Sequence, residues 1–310
     1  MKKIFKIILF VCVLALGVTF SCKKDKAGTT GEIEETPTSG NGQILVDNTV
    51  QPIVEDVIAV FHSVYERANL EQINKTETEI INALMQDSAR VAVLPRLLTE
   101  QEEAAFRRKN ITARVTPFAI DAIAFVTHNT AKDTVINLED VLNVLKGQPA
   151  GRNIKLVFDN PNSSTIQQLL KMAGVKQAPS ANVFALKNNE EVIKYVHDTP
   201  GVIGIVGVNW LVQPPPPLTK YVENLTVLGV DNVKVNGKEK KYYKPTQSNI
   251  ATGSYPLTRK LYVLNYSGRD VLGTGFANYI GAHEGQRIIL KSGLLPVDIP
   301  TREVNVRNEW

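Results

Sequence analysis

The sequence predicts an α/β fold, because short apolar strands alternate with amphipathic helices along most of its 310 residues. One observation is a strand–turn–helix arrangement that recurs along the chain. The other is helical spacing of the apolar residues, as in Ile166, Leu169, Leu170 and Ala173 before a terminating Gly174. A chain of this length can form two lobes with separate cores.

The segment from Leu156 to Gly174 combines these features with three hydroxyl side chains. A short apolar strand ends in a polar turn at 159–162, and Ser163, Ser164 and Thr165 then begin the helix. Free backbone N–H groups and the helix dipole favour an anion at such a position. Ordinary N-capping, which requires one hydroxyl, is the alternative.

Two other predicted helices also begin at a threonine. Thr49 follows a strand over 43–46 and precedes a helical apolar stripe over 50–64. Thr76 begins a helix together with Glu79, in the spacing of a capping box. Because the Glu79 carboxylate competes with a bound anion, Thr76 is the weaker candidate for a binding residue.

Arg96 and Asp121 are the candidate charged residues of a ligand site. Arg96 comes just after a strand over 90–94, where open α/β sheets place ligands, and a guanidinium suits bidentate binding of an oxyanion. A surface salt bridge is the alternative for Arg96. Asp121 lies within a long apolar segment over 112–128 and needs a partner if buried. Arg96 is an available partner, so a structural ion pair and a ligand role both stay open.

The first residues are typical of an export signal. Lysines at positions 2, 3 and 6 precede an apolar stretch over 7–18, and Cys22 follows in a context resembling the lipobox of bacterial lipoproteins. We predict a signal peptide over residues 1–21, lipid on Cys22 as a membrane anchor, and a flexible polar tether over 22–42. A plain signal peptide with an incidental cysteine is the alternative.

Several functional classes are disfavoured by the sequence. The formal net charge is +4, and the three lysines of the signal segment account for most of it, which argues against a nucleic-acid partner. The four histidines share no metal-ligand spacing, and no nucleophile or dinucleotide motif occurs. We therefore predict no metal, no cofactor, no catalytic residues and no enzymatic activity.

Seven motifs in order resemble one protein family, the substrate-binding lipoproteins of bacterial phosphate ABC transporters. The motifs are VDNTVQP, VLPRLLTEQE, AIDAIAFVTH with INLEDVLNVLKG, FDNPNSST, PGVIGIVG, YYKPTQSNIATGSYPLTRKLYV and GQRIILKSGLLP. The resemblance implies the two-lobed type II periplasmic binding fold. Lobe 1 is predicted over 43–120 and 257–310, and lobe 2 over 121–256. The crossover strands are predicted in Thr116–Phe125 and Tyr255–Tyr262, with an oxyanion held in the cleft between the lobes.

The resemblance also assigns roles to residues. Thr49 matches a hydroxyl ligand on the first helix, Thr76 falls near a serine of the second helix, and 163–165 match a serine-glycine-threonine loop that binds phosphate. Two departures involve charge. Arg96 stands where the family has an aspartate that accepts the phosphate proton, and Asp159 stands where it has an arginine. We interpret this pair as a charge swap that keeps one cation in the cleft.

The predicted function is capture of inorganic phosphate, or a related oxyanion, by a monomeric lipoprotein that delivers it to an ABC permease. The resemblance implies a location in the bacterial cell envelope, in the periplasm or on the cell surface. The alternative is a non-transport lipoprotein on the same scaffold, a surface adhesin or assembly factor. The proline-rich loop at 214–217 and the segment 226–243 are its candidate contact surfaces.

Overall fold

The computed structural model describes residues 35–179, 181–232 and 240–300. The strands are β1 Gly40–Asp47, β2 Ala68–Lys75, β3 Val91–Leu94, β4 Arg114–His128, β5 Val135–Ile136, β6 Leu156–Phe158, β7 Val183–Ala185, β8 Ile203–Gly207, β9 Leu225–Val227, β10 Gly229–Asp231, β11 Tyr242–Tyr243, β12 Thr258–Asn265 and β13 Leu295–Pro296. The α-helices are α1 Gln51–Val64, α2 Glu77–Met85, α3 Glu100–Arg107, α4 Leu138–Leu145, α5 Ser164–Ala173, α6 Asn189–Asp198, α7 Asn209–Val212, α8 Thr219–Val222, α9 Gln247–Ala251, α10 Leu272–Gly281 and α11 His283–Lys291. The predicted signal peptide, the lipidation site Cys22 and most of the tether lie outside the described residues.

The main sheet runs in the order β2-β1-β3-β12-β4-β8-β6-β7, with β9 and β13 also paired to β4. Strand β4 belongs to both halves of this sheet. It pairs antiparallel with β12 as far as Ala122 and with β8 from Ile123 onward. The predicted first crossover segment, Thr116–Phe125, therefore contains the point at which the sheet partner changes. The predicted lobe boundary at 120/121 falls just before that point.

The apolar run predicted as a buried extended segment forms the centre of β4. Phe118, Ile123, Phe125 and their apolar neighbours in the strand are fully buried between the covering helices, which explains why the run lacks polar alternation. Asp121 lies in the middle of this buried run. Burial of a carboxylate at this position requires a charged partner, and β12 provides it.

Strands β1 and β3 pair in parallel, as do β6 and β8, so loops after β1, β3 and β6 lie at carboxyl ends of strands. Ligands of open α/β sheets bind at such ends. The short 3₁₀ helix Asn48–Val50 follows β1, and the loop that leads into α5 follows β6. The sheet thus positions both hydroxyl-bearing helix starts for a shared site.

Two elements differ from the prediction. Strand β1 begins at Gly40, so the last residues of the predicted tether belong to the sheet and pair with β2. Strand β2 itself was not predicted, because its sequence ANLEQINK is polar and most of its side chains are exposed or half-buried at the sheet edge. This strand forms because its backbone pairs with β1 along its whole length. The pattern of its side chains does not indicate that pairing.

The sequence predicts a hairpin with arms over 226–235 and 241–243. Its arms pair as predicted, with β10 antiparallel to β11, but the first arm is divided into the short strands β9 and β10. Strands β9 and β10 are separate, and β10 pairs antiparallel with β11 and parallel with β5 in a three-stranded sheet. The sequence also predicts a turn at 236–237 for this hairpin and a final strand over 301–307, and both lie outside the described residues. No helix in the described part of the chain is both long and apolar enough to cross a bilayer.

Candidate functional site

Arg259 on β12 is the most deeply buried cation in the described part of the cleft, with a side chain 2% exposed. It stands directly across from Asp121 in the antiparallel register of β12 and β4. Its Nε and Nη2 donate to Asp121 Oδ2 at 3.0 and 2.7 Å. Its Nη1 donates to Ser164 Oγ at 2.9 Å. One guanidinium thus links the two strands of the sheet centre to the start of α5.

Ser164 and Thr49 meet at this point, although they are far apart in the chain. The two hydroxyl oxygens are 2.8 Å apart, and Ser164 Oγ also donates to Asp47 Oδ1 at 3.0 Å. All three side chains are buried. We call Asp47, Thr49, Ser164 and Arg259 the cleft junction. The structure therefore brings together two predicted site residues, one from lobe 1 and one from lobe 2.

Asp47 is a member of the junction that is not among the candidate site residues of the sequence. Its Oδ1 accepts hydrogen bonds from the backbone N–H of Thr49 at 2.9 Å and from the Thr49 hydroxyl. Its Oδ2 is buried and has no hydrogen-bond partner among the described residues. Burial raises the pKa of Asp47, and the Arg259 charge and the Thr49 hydrogen bonds oppose that rise. The junction thus contains a buried acceptor oxygen free to receive a hydrogen bond.

Ser163 and Thr165 have a different partner from Ser164. Their hydroxyls donate to Asp159 Oδ1 at 2.6 and 3.3 Å, and Asn189 Nδ2 donates to Asp159 Oδ2 at 3.2 Å. Burial raises the pKa of Asp159, while the Ser163 hydrogen bond acts against the rise. Asp159 therefore fixes the shape of the loop before α5.

Ser163 is the N-cap residue of α5, but its side chain makes no capping hydrogen bond. The N-capping alternative for the hydroxyls at 163–165 is therefore wrong. The backbone N–H groups at the start of α5 are left without a side-chain cap, which is the arrangement that suits a bound anion.

Arg96 is held by two carboxylates. Its Nε donates to Glu77 at 2.7 Å, and its Nη1 and Nη2 donate to the two oxygens of Glu102 at 2.9 and 3.0 Å. Burial works against the charged form, but the Glu102 hydrogen bonds and the Glu77 charge together raise the pKa of Arg96. The salt-bridge alternative is confirmed for Arg96. Of the two roles left open for Asp121, the structure contains the ion pair, but its partner is Arg259 across the sheet and not Arg96.

Two further expectations are corrected by these contacts. The cation of the junction is Arg259, so the proposed charge swap between Arg96 and Asp159 does not describe this cleft. Thr76 forms the predicted capping box, with its N–H and its hydroxyl 2.9 and 2.7 Å from the Glu79 carboxylate. Its hydroxyl is thus occupied by local capping.

Arg259 could have been identified from the sequence, since it is the one arginine of the predicted second crossover segment.

A pocket of about 480 Å³ opens beside the junction. Its lining residues are Glu77, Pro95, Arg96, Thr99, Ser164, Gln167, Gln168, Lys171, Thr258 and Arg259. Of its three cations, Arg96 and Arg259 are paired with carboxylates, and Lys171 forms no ion pair with the other described residues. Among the described residues, no group of three or more His, Cys, Asp or Glu side chains is arranged to hold a metal ion.

Comparison with known proteins identifies the family. The model of the PBP superfamily domain matches residues 32–284 of the chain. The chain belongs to the PBP superfamily. Among curated superfamily relatives, the phosphate-binding protein PstS of Borreliella burgdorferi is 25% identical over 308 residues, which cover 94% of this chain and 99% of the relative.

Solved structures agree with this assignment. A Clostridium perfringens protein crystallised with bound phosphate has a TM-score of 0.66 and 17% identity, covering 84% of this chain and 100% of that one. An ABC-type phosphate transport receptor from Vibrio cholerae has a TM-score of 0.61 and 18% identity, covering 83% of this chain and 100% of that one. The predicted two-lobed α/β fold of this superfamily, with β4 crossing between its halves, is confirmed.

Proposed function

We propose that this protein captures inorganic phosphate between its two lobes and delivers it to an ABC permease. The observation that carries the proposal is the cleft junction, in which a hydroxyl from each lobe and a buried guanidinium converge on one point. Full-length similarity to a protein named for phosphate binding supports the same conclusion. The alternative of an adhesin or assembly factor has no comparable support.

The junction supplies the chemistry that phosphate requires. The Thr49 and Ser164 hydroxyls, which donate to Asp47 in this structure, rotate to donate to phosphate oxygens. Arg259 offers charge, and the uncapped start of α5 offers backbone N–H groups. Phosphate oxygens take the place of the direct contact between the Thr49 and Ser164 hydroxyls. Because the junction is buried, these hydrogen bonds form in a medium of low dielectric and are stronger than in water.

Asp47 gives the junction a means of selecting phosphate over sulfate. At neutral pH phosphate retains a proton that it can donate, whereas sulfate retains none. The unpartnered Asp47 Oδ2 accepts that proton, while a sulfate oxygen at the same place meets a buried carboxylate and is repelled. Asp47 thus fills the acceptor role that the family resemblance left without a residue when Arg96 replaced the aspartate.

The proposal extends to the setting of the protein. It acts by binding, without catalysis, as a monomer in the bacterial cell envelope. Lipid on Cys22 holds it to a membrane, and the polar segment after that cysteine lets the folded lobes stand away from the surface. Labelling with radioactive palmitate in cells tests the anchor, with Cys22→Ser as the variant that must lose the label.

Isothermal titration calorimetry tests the binding function. The purified protein is freed of bound ligand by partial unfolding and refolding, then titrated separately with phosphate and sulfate. We expect heat from phosphate and none from sulfate. If phosphate gave no heat of binding, the proposal would be refuted. If both anions bound equally, the role of Asp47 would be refuted, and the protein would be a receptor for oxyanions in general.

A further inference from the structure

The pocket outside the cleft junction is larger than orthophosphate requires. At about 480 Å³ it falls within the range of roughly 300–1,000 Å³ that protein pockets provide for organic ligands. Ser164 and Arg259 belong both to the junction and to the pocket lining. The pocket is therefore continuous with the proposed phosphate site and leaves space for a further group attached to the bound phosphoryl group.

One polar face of α5 forms a wall of this pocket. Ser164, Gln167, Gln168 and Lys171 all line it, at positions i, i+3, i+4 and i+7 of the helix. With a rise of about 1.5 Å per residue, Lys171 is about 10 Å along the axis from Ser164. Helical side chains lean toward the N-terminus, so a side chain as long as that of Lys171 can reach back toward the junction. A chemical group next to the bound phosphoryl group lies between Ser164 and this ammonium.

The two outer cations of the pocket differ in their partners. Arg96 donates to Glu77 and Glu102, so its charge is already balanced by carboxylates. The ammonium of Lys171 makes no hydrogen bond or ion pair within the described residues, and the side chain is exposed. Lys171 is thus available to a second anionic group, at a position that the first phosphoryl group does not occupy.

From this arrangement we infer that the cleft accepts a condensed phosphate with at least two phosphoryl groups, the first at the cleft junction and the next facing Lys171. The inference rests on the proposed function. A neutral alcohol substituent, as in a phosphate monoester, would bring no negative charge to pair with Lys171, whereas a second phosphoryl group would.

Calorimetry on the full chain tests this inference with three probes in the absence of divalent cations. Inorganic pyrophosphate is the condensed phosphate, orthophosphate reports the junction alone, and glycerol phosphate controls for size without a second anion. The variants are Lys171→Gln and the matched control Lys176→Gln. Lys176 is also exposed and lies just beyond α5, away from the pocket lining.

We expect pyrophosphate to bind the wild type, and Lys171→Gln to weaken that binding by roughly fivefold, the upper end for an exposed ion pair. Orthophosphate affinity should change less than twofold in Lys171→Gln, and Lys176→Gln should resemble the wild type with every probe. Binding of orthophosphate alone would overturn the inference while the proposed function stands.

Two other outcomes would overturn the inference. If Lys171→Gln weakened the binding of orthophosphate and of pyrophosphate equally, Lys171 would act only through the electrostatic potential of the whole pocket. Glycerol phosphate binding as tightly as pyrophosphate would show that the pocket tolerates any substituent. Silence toward all three probes would instead refute the proposed function itself.

Discussion

Two arginines line the same cleft, and their surroundings are opposite. Arg96 has a side chain 33% exposed and donates to two glutamates, Glu77 and Glu102. Arg259 is almost fully buried and divides its donors between one aspartate and the hydroxyl of Ser164. The comparison teaches that position after a strand does not make an arginine an anion receptor. The difference is that Arg96 donates to two carboxylates, whereas Arg259 pairs with one carboxylate and keeps its Nη1 on the neutral Ser164 hydroxyl.

Replacement of Arg259 should have the largest effect. Arg259→Ala leaves the Asp121 carboxylate buried without its cation, which costs about 3–5 kcal/mol in the free energy of unfolding. Phosphate binding should be lost with it. Urea unfolding followed by circular dichroism measures the first effect, and calorimetry measures the second.

Arg259→Lys separates binding from folding, because it keeps the charge but removes the fork that joins Asp121 to Ser164. We expect at least a tenfold loss of phosphate affinity in a folded protein, equivalent to about 1.4 kcal/mol. Arg96→Lys is the matched control and should change affinity less than threefold. A larger loss in Arg96→Lys than in Arg259→Lys would reverse the comparison.

Asp47→Asn should change the selectivity of the cleft. Because the substitution removes a charged acceptor for the phosphate proton, phosphate affinity should fall by roughly 1.5–3 kcal/mol, a loss of more than tenfold. Sulfate should begin to bind, since the repelling carboxylate is gone. Competitive titration of the two anions measures the ratio, and an unchanged preference for phosphate would exclude Asp47 as the acceptor.

Ser164→Ala and Thr76→Ala compare a hydroxyl in the junction with one in a capping box. Loss of the Ser164 hydroxyl should weaken phosphate binding by about 1 kcal/mol, or severalfold. Loss of the Thr76 hydroxyl should leave affinity unchanged and lower the free energy of unfolding by about 1 kcal/mol. If Thr76→Ala weakened phosphate binding as much as Ser164→Ala, the family's second-helix role would belong to Thr76 after all.

The smallest expected effect is the pH dependence of stability contributed by Asp47. Burial raises the pKa of Asp47 above the ordinary value of an aspartate, with the Arg259 charge opposing the rise and the Asp159 charge adding to it. The folded state therefore holds this proton more tightly than the unfolded state does, and the free energy of unfolding falls as pH rises through the folded-state pKa. The wild type should gain stability relative to Asp47→Asn as pH falls from 7 toward 4. A difference that stays constant over this range would mean that the Asp47 pKa is not raised.

The parts of the proposed site that were predicted from the sequence all depend on interactions between neighbouring residues of the chain. The hydroxyls of 163–165 and of Thr49 are recognisable because each follows a strand and precedes an apolar helical stripe. The capping box at Thr76 is equally local, and the structure contains it. Sequence analysis did not identify Asp47 as the proposed acceptor or Arg259 as the proposed cation. Both roles depend on burial and on partners elsewhere in the chain.

The sequence by itself determined the α/β class, most of the strands and helices, and the hydroxyls that begin the helices, because apolar period and capping act between near neighbours. Only the tertiary structure decided which charges meet. Arg259 and Asp121 are 138 residues apart and face each other because β12 and β4 pair in one antiparallel register. Thr49 and Ser164 are 115 residues apart and touch because the strands before them end at the cleft. Arg96 contacts Glu77 and Glu102 because the fold places both carboxylates within hydrogen-bond distance of its guanidinium, and Asp121 is left to Arg259.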